Sequence, residues 1–241
     1  MRTFIICLEN YKSSLESAIK TKEKIAEIGI KSELFFAEDP IIINDIFKKQ
    51  NRKLHHIKPE LSRLYIQNNF INSRIETESQ KSCFYSHYQL WKKCYELNEK
   101  ILILEDDVVI KKNPIKNLNT QNEQIDIILI SVDLNLRSHS FLLKNKDILD
   151  KLTNAQKDSI HNLEIQLIRY DYINARVPGA CGYIINPKGA IKLLQEFSQT
   201  YLPADWCINT NILNIYFLNI LGDVNKNKKS LTRSIKEINN F

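Results

Sequence analysis

A chain of 241 residues that is 43% hydrophobic and 26% charged can bury one large α/β core or two small ones. With 5 Gly, 6 Pro and no repeated block, the composition excludes fibrous, repeat and largely disordered architectures, and one domain over residues 1–241 is expected. The net charge of +6 indicates an anionic partner, and by itself leaves nucleic acid, an acidic membrane surface and a phosphorylated small molecule open.

The first elements predict a βαβ unit. Thr3–Leu8 is a short apolar run typical of a buried strand, and a helical pattern follows from about Ser13 to Ile28. Gly29 stands where a left-handed helix C-cap is wanted, and Glu33–Ala37 resumes as a second strand. A βαβ opening favours a parallel sheet with helices on its faces.

An amphipathic helix is predicted over Ser82–Lys100, after an irregular polar segment from Asp39 to about Gln80 that we expect to form short helices and loops outside the sheet. Side chains of one face recur at helical spacing: Cys83, His87, Leu90, Cys94 and Leu97, joined by Phe84 and Trp91. We expect this face to dock on the sheet. The isolated pair His55 and His56 is interpreted as two ordinary surface residues rather than a metal site.

Three consecutive carboxylates, Glu105, Asp106 and Asp107, follow the predicted buried strand Ile101–Leu104. This places them at the carboxyl end of a central strand, where open α/β sheets bind ligands. They could be ordinary turn residues, but uncompensated charge beside the sheet core is costly, so a counter-charge is expected. Mg²⁺ or Mn²⁺ would supply it, with substrate phosphates completing the ligand shell. From an extended backbone, Glu105 and Asp107 project alike and Asp106 points away.

The second half predicts two further strands and a capped helix. Ile125–Val132 is a buried strand, and Gly182–Ile185 is extended ahead of Asn186 as N-cap and Pro187 at the first helical position. An apolar stretch over Ile208–Leu221 precedes a basic tail from about residue 225. Its charges are Lys226, Lys228, Lys229, Arg233 and Lys236. The tail is interpreted as a solvated face, with attachment to acidic lipid, at about 1 kcal/mol per residue, as the alternative.

The cysteines and the missing motifs exclude several classes. Five cysteines without C-x-x-C spacing predict neither a disulfide framework nor a zinc site. No signal-peptide core or membrane-spanning run is present, which favours a cytoplasmic location, with peripheral attachment to the inner membrane face as the alternative. The chain lacks the P-loop, G-x-G-x-x-G, G-x-S-x-G and H-E-x-x-H motifs, and no aromatic platform interleaves its basic residues, so nucleic acid is not an expected partner.

Five blocks in order resemble glycosyltransferase family 25, which covers bacterial lipooligosaccharide galactosyl- and glucosyltransferases and the related collagen galactosyltransferases. The blocks are I-I-C-L-E-N, S-C-F-Y-S-H-Y-Q-L-W, I-L-I-L-E-D-D-V, G-A-C-G-Y-I-I-N-P-K-G-A-I-K-L-L and P-A-D-W, over roughly residues 3–207. The resemblance implies a GT-A fold, that is, a mixed, mostly parallel Rossmann-like sheet flanked by helices. It also implies a UDP-sugar donor, usually UDP-galactose, a Mn²⁺ or Mg²⁺ ion, and transfer with inversion to a glycan or glycolipid acceptor such as lipooligosaccharide.

The acidic motif of the family falls on residues 105–107, and the resemblance implies their roles. Asp107, with Glu105, is assigned to the metal and the diphosphate, and Asp106 to ribose or donor hydroxyls. The P-x-D element falls on Asp205, which is the candidate catalytic base because the loop pairs a carboxylate with an aromatic ring. An N-cap role for Asp205 is the alternative. Asp133, just after a predicted strand, is the reserve base.

Donor contacts are expected from the two remaining blocks. The S-H-x-x-L-W block falls on Ser86, His87, Leu90 and Trp91, and the glycine-rich strand on Gly179, Gly182 and Tyr183. His87 is a candidate donor contact, although its apolar helix face favours a core histidine with a satisfied hydrogen bond. Gly179 and Gly182 would let the backbone approach a ligand closely, with a bend at the strand entry as the alternative.

Two rival functions stay open. A non-catalytic sugar-nucleotide or glycan-binding protein on the same fold would keep the site without metal-dependent turnover. A metal-dependent nucleotidyltransferase would use the same sheet-end carboxylates but release pyrophosphate from a nucleoside triphosphate.

Overall fold

The computed structural model describes ten strands and five helices, within residues 1–55, 77–110, 124–131, 167–170, 177, 179 and 181–224. The strands are β1 (Arg2–Cys7), β2 (Glu33–Phe36), β3 (Lys53–Leu54), β4 (Ile101–Glu105), β5 (Val108–Val109), β6 (Ile127–Ser131), β7 (Leu167–Arg169), β8 (Gly182–Ile185), β9 (Thr200–Tyr201) and β10 (Ile215–Val224). The helices are α1 (Lys12–Glu27), α2 (Ile43–Lys49), α3 (Glu78–Leu97), α4 (Pro187–Glu196) and α5 (Ala204–Cys207).

Eight of these strands form one mixed sheet, in the order β2-β1-β4-β8-β6-β10-β5 with β7 beside β10. Strands β1, β2, β4, β6 and β10 run in one direction, and β8 lies antiparallel between β4 and β6. The two short strands β5 and β7 pair antiparallel with β10. The predicted α/β architecture with a mixed, mostly parallel sheet flanked by helices is therefore confirmed. The pair β3–β9 forms a small separate sheet that the sequence did not predict.

The alternation of side chains along β4 divides the core between the two faces of the sheet. Ile101 and Ile103 pack in the cluster that contains the buried residues of α3 and α4. Leu102 and Leu104 pack in the other cluster, with the buried residues of α1. Because successive side chains of a strand point to opposite faces, the residues after β4 inherit this division. It decides which helix each acidic side chain meets.

Local capping signals fix the ends of the helices. The predicted βαβ opening is confirmed, and Gly29 takes the left-handed conformation (φ 81°) that was expected after α1. Helix α3 begins at Glu78, four residues before the predicted start, because Thr77 caps it by accepting a hydrogen bond from the Gln80 N–H. It ends at Leu97, and its C-cap residue Asn98 takes the left-handed conformation (φ 49°).

Helix α4 is locked against the start of β6. Asn186 caps it as predicted, with its side-chain oxygen accepting from the Gly189 N–H at 2.6 Å, and Pro187 occupies the first turn. The buried Asp126 carboxylate pairs with Lys192 of α4 and also accepts from the Asn214 N–H at 2.8 Å. Gly189 packs directly on the Asp126 backbone. This junction lies at the end of the sheet opposite the acidic residues.

Several predictions fall outside the described residues: Val132 as the end of β6, the reserve base Asp133, His56, and the basic tail from residue 225. None of the five cysteines, all of which are described, forms a disulfide. In the part of the chain that the structure describes, every helix is too short or too polar to cross a membrane.

Candidate active site

The acidic trio forms the tight turn that joins β4 to β5. Glu105 is the last residue of β4, Asp106 and Asp107 make the turn, and all three side chains are half-buried. The Glu105 N–H donates to the Cys181 carbonyl at 2.7 Å, which ties the turn to the segment entering β8. The predicted position, at the carboxyl end of a central strand, is confirmed.

Asp106 faces α1, away from Glu105, as its place in the strand alternation predicts. Its carboxylate accepts a hydrogen bond from the Ser14 hydroxyl, and its backbone carbonyl accepts from the Thr21 hydroxyl at 3.0 Å. The Ser14 oxygen in turn accepts from the Leu8 N–H at 3.0 Å. The turn is therefore fastened to the first helix and to the end of β1. These partners are missed by sequence analysis, because Ser14 and Thr21 are ordinary polar residues of a helix.

Glu105 faces α3, where it meets a histidine and a cysteine. Its Oε1 atom lies 3.6 Å from Nε2 of His87 and 3.9 Å from Sγ of Cys83. His87 is fully buried, whereas Glu105 keeps 31% of its side-chain surface exposed. Burial, together with the negative charges of Glu105 and Asp205, raises the pKa of the Cys83 thiol well above its usual value.

The ring of His87 contacts Tyr183 through Nδ1, the nitrogen that does not face Glu105. The Tyr183 hydroxyl lies 2.7 Å from Nδ1 of His87 and accepts a hydrogen bond from Nε1 of Trp91 at 2.9 Å. Burial raises the pKa of Tyr183 well above its usual value, so the phenol keeps its proton. The expected core histidine with a satisfied hydrogen bond thus describes Nδ1. The other ring nitrogen points to Glu105.

Replacing Tyr183 by phenylalanine is expected to destabilise the protein by about 2 kcal/mol. The substitution leaves the Trp91 N–H and Nδ1 of His87 without their shared partner, and a buried unsatisfied polar group costs about 1–3 kcal/mol. Urea unfolding followed by tryptophan fluorescence measures the change. Tyr95→Phe, at an exposed position of α3, is the matched control and should shift stability by less than about 0.5 kcal/mol. Equal stabilities for the two variants would contradict the network.

Asp205 lies in the first turn of the short helix α5, whose N-cap is Pro203. The alternative that Asp205 is itself the N-cap is therefore wrong. Helix α5 packs against α3, and the charge of Asp205 acts on Cys83 together with that of Glu105. The structure thus brings Asp205 close enough to Cys83 for its charge to act there together with that of Glu105, although the two carboxylates are distant in sequence.

The two predicted glycines have conformational and packing reasons of their own. Gly179 is left-handed (φ 63°), a conformation that favours glycine. A Cβ on Gly182 would lie 3.1 Å from side-chain atoms of both Leu104 and Ser131, so close packing between strands accounts for that glycine. The conformation of Gly179 favours the alternative of a bend at the strand entry, and the role of either glycine in donor binding stays a prediction.

A family model described as glycosyltransferase family 25 (LPS biosynthesis protein) matches residues 1–208. The chain belongs to glycosyltransferase family 25. The match includes the acidic turn, the His87 block of α3, the glycine-rich entry to β8 and Asp205. The family resemblance noted in the sequence is confirmed.

Individual relatives of this family 25 chain are bacterial proteins. The lipooligosaccharide biosynthesis protein lex-1 of Haemophilus influenzae is 34% identical over 148 residues, which is 58% of this chain and 43% of the relative. The lacto-N-neotetraose biosynthesis glycosyltransferase LgtE of Neisseria meningitidis is 24% identical over 204 residues, which is 83% of this chain and 63% of the relative. The chain thus spans less than two thirds of the length of either relative. A crystal structure of the galactosyltransferase LgtC with donor and acceptor sugar analogs aligns over 90% of this chain and 73% of its own, at 14% identity and a TM-score of 0.42.

Proposed function

We propose that this family 25 protein is a metal-dependent inverting glycosyltransferase that moves a hexose, with galactose the expected sugar, from a UDP-sugar to lipooligosaccharide or another surface glycan. The observation that carries the proposal is the half-buried acidic turn at the carboxyl end of β4, with Asp205 nearby. Such a turn on a sheet of this kind is where a charged ligand is expected. Family membership over residues 1–208 gives the reaction class.

The residues present fit a divalent cation. Carboxylate oxygens are the ligands that Mn²⁺ and Mg²⁺ prefer, and the turn offers Glu105 and Asp107 within three residues. Negative charge accumulates here, since Glu105, Asp205 and Asp106 all act to raise the pKa of Cys83. A bound cation would stabilise the charge that grows on the leaving diphosphate.

The protein's own residues then take the following roles. Asp107, with Glu105, would hold the cation and, through it, the donor diphosphate. Asp205 accepts the proton of the acceptor hydroxyl as that oxygen attacks the anomeric carbon, and the neighbouring Trp206 offers a half-buried ring for packing on a sugar face. Asp106 first holds the turn on α1 through Ser14, and its contact with ribose or donor hydroxyls stays a prediction. Asp133 stays the reserve base.

The remaining predicted donor residues act at a distance from the sugar in this proposal. His87 is fully buried and contacts the Glu105 carboxylate, so it would affect donor binding only by positioning that carboxylate. Gly179 and Gly182 shape the entry to β8. Attachment to acidic lipid through the basic tail stays a prediction, because residues 225–241 lie outside the described part of the chain.

The test is UDP release from a panel of UDP-hexoses, with Mn²⁺, with Mg²⁺ and with a chelator. We expect UDP to be released from one of the UDP-hexoses. This release should require the metal and should become faster when a glycan acceptor is added. Metal-independent thermal stabilisation by a UDP-sugar without any turnover would favour the binding protein. A ligand at a hundredfold excess over its Kd should add about 2.7 kcal/mol to stability, which is easily measured. Pyrophosphate formed from UTP and a sugar 1-phosphate would identify a nucleotidyltransferase instead.

A further inference from the structure

Three different donor atoms converge beneath the acidic turn, on the α3 side of the sheet. Cys83 and His87 stand one helical turn apart on α3, and Glu105 reaches them from the end of β4. One donor atom from each residue lies within 4.8 Å of the other two. Two ligands on one tetrahedral Zn²⁺, with bonds of about 2.0–2.3 Å, are themselves roughly 3.3–3.6 Å apart. The 3.6 Å and 3.9 Å separations to Oε1 of Glu105 are close to this spacing.

Nε2 of His87 is an independent sign of a ligand. The residue is fully buried, and within the described residues this nitrogen has no hydrogen-bond partner. Its distance of 3.6 Å from Glu105 is too long for a hydrogen bond. Nδ1 lies 2.7 Å from the Tyr183 oxygen, and in the tautomer that binds a cation through Nε2 it carries the proton and donates it to that oxygen, as metal-ligating histidines donate their second ring N–H. A cation at Nε2 would satisfy a buried atom that otherwise weakens the core.

We propose that Cys83, His87 and Glu105 form a binding site for a thiophilic divalent cation, with Zn²⁺ the best fit. The site shares the Glu105 carboxylate with the cation site proposed at Asp107, but Cys83 and His87 belong to this site alone, so its existence can be tested without transferase activity. Sulfur, imidazole nitrogen and carboxylate together favour Zn²⁺ over Mg²⁺ or Mn²⁺, which prefer an all-oxygen shell. The fourth tetrahedral position is left for water or another ligand. On binding, the Sγ–H bond of Cys83 breaks, the Sγ–metal bond forms, and one proton passes to the buffer.

Charge in the neighbourhood also favours a cation. Once Cys83 has lost its proton on binding, its thiolate and the carboxylate of Glu105 would together balance the charge of a divalent ion. Without a cation, this pocket would keep a neutral thiol, a carboxylate and a histidine with one unsatisfied nitrogen. The competing explanation is an ordinary, loosely packed contact between the Nε2–H of His87 and Glu105.

The test uses Co²⁺ as a spectroscopic probe on the chelator-treated protein, followed by displacement with Zn²⁺. We expect one tightly bound Co²⁺ per chain, with a thiolate-to-cobalt charge-transfer band that Zn²⁺ abolishes. Cys83→Ser should remove the band and weaken Co²⁺ binding by at least about tenfold. Cys94→Ser is the matched control, since Cys94 is a buried cysteine of the same helix that bonds to the Glu99 carbonyl, and its band should persist.

The wild-type spectrum alone can overturn the proposal. If the protein binds no Co²⁺, or binds it without a thiolate band, the site does not exist. A band that survives in Cys83→Ser has the same meaning. If Cys83→Ser fails to fold, His87→Gln should likewise lose the tight Co²⁺ site. Asp107→Asn should keep the thiolate band, so a failure of the cation site at Asp107 and a failure of this one give different results.

Discussion

Asp107→Asn is expected to lower metal-dependent UDP release by about 10²–10³-fold, a loss of roughly 3–4 kcal/mol of transition-state stabilisation. Asparagine keeps the shape of the side chain but removes the negative charge with which the acidic turn would hold a divalent cation. Asp107 is half-buried in that turn, immediately after the strand end, so a charge there is poorly replaced by solvent. The measurement is the rate of UDP release at saturating donor over a range of Mn²⁺ concentrations.

Asp45→Asn makes the same chemical change at an exposed position of α2 and should leave the rate unchanged. A fall in rate that higher Mn²⁺ partly restores would assign Asp107 to cation binding. Thermal unfolding of both variants separates a loss of catalysis from a loss of folded protein. Wild-type rates and an unchanged Mn²⁺ dependence in Asp107→Asn would remove the proposed metal ligand, and with it the assigned mechanism.

Gly189→Ala is expected to destabilise the protein by about 2–4 kcal/mol. On an exposed helix the same change would stabilise by about 1 kcal/mol, because alanine is the better helix former. Here the added Cβ would lie 2.6 Å from the Asp126 backbone oxygen, which is closer than real Cβ atoms essentially ever come, and 3.0 Å from the Asp126 Cβ. The clash is with backbone, so α4 must move away from the start of β6. The hydrogen bonds around Asp126 would be disturbed with it.

Equilibrium unfolding in urea measures this effect, and Lys188→Ala is the control because that neighbouring residue is exposed. The control should change the free energy of unfolding by less than about 0.5 kcal/mol. A Gly189→Ala protein as stable as the wild type would mean that α4 does not approach β6 as closely as the structure has it.

Local signals made much of the fold predictable from sequence. Asn186 and Pro187 predict the start of α4, and Gly29 predicts the end of α1, because capping depends on a few neighbouring residues. The buried strand β4 was recognisable from its aliphatic run, and the acidic turn from its place after that strand. The earlier start of α3 depends on the Thr77 cap, which lies in a polar stretch with little apolar periodicity.

Long-range partners were not predictable in the same way. Helical spacing put Cys83 and His87 on one face, but their contact with Glu105 depends on how α3 lies across the end of β4. The cysteine pattern predicted no zinc site, because only one thiol takes part and its fellow ligands come from a histidine and a strand-end glutamate. The hydrogen bond between Ser14 and Asp106 likewise joins residues that only the packing of α1 on the sheet brings together.

The antiparallel strand β8 has a consequence for how the chain folds. It fills the gap between β4 and β6, and its register joins Leu104 to Gly182, so the middle of the sheet cannot close until most of the polypeptide has been made. During synthesis the edges of β4 and β6 stay unpaired beside their apolar side chains, and exposed edges of this kind recruit other strands. We expect chains released before β8 emerges to aggregate, and refolding to be slow compared with the formation of the amino-terminal βαβ unit.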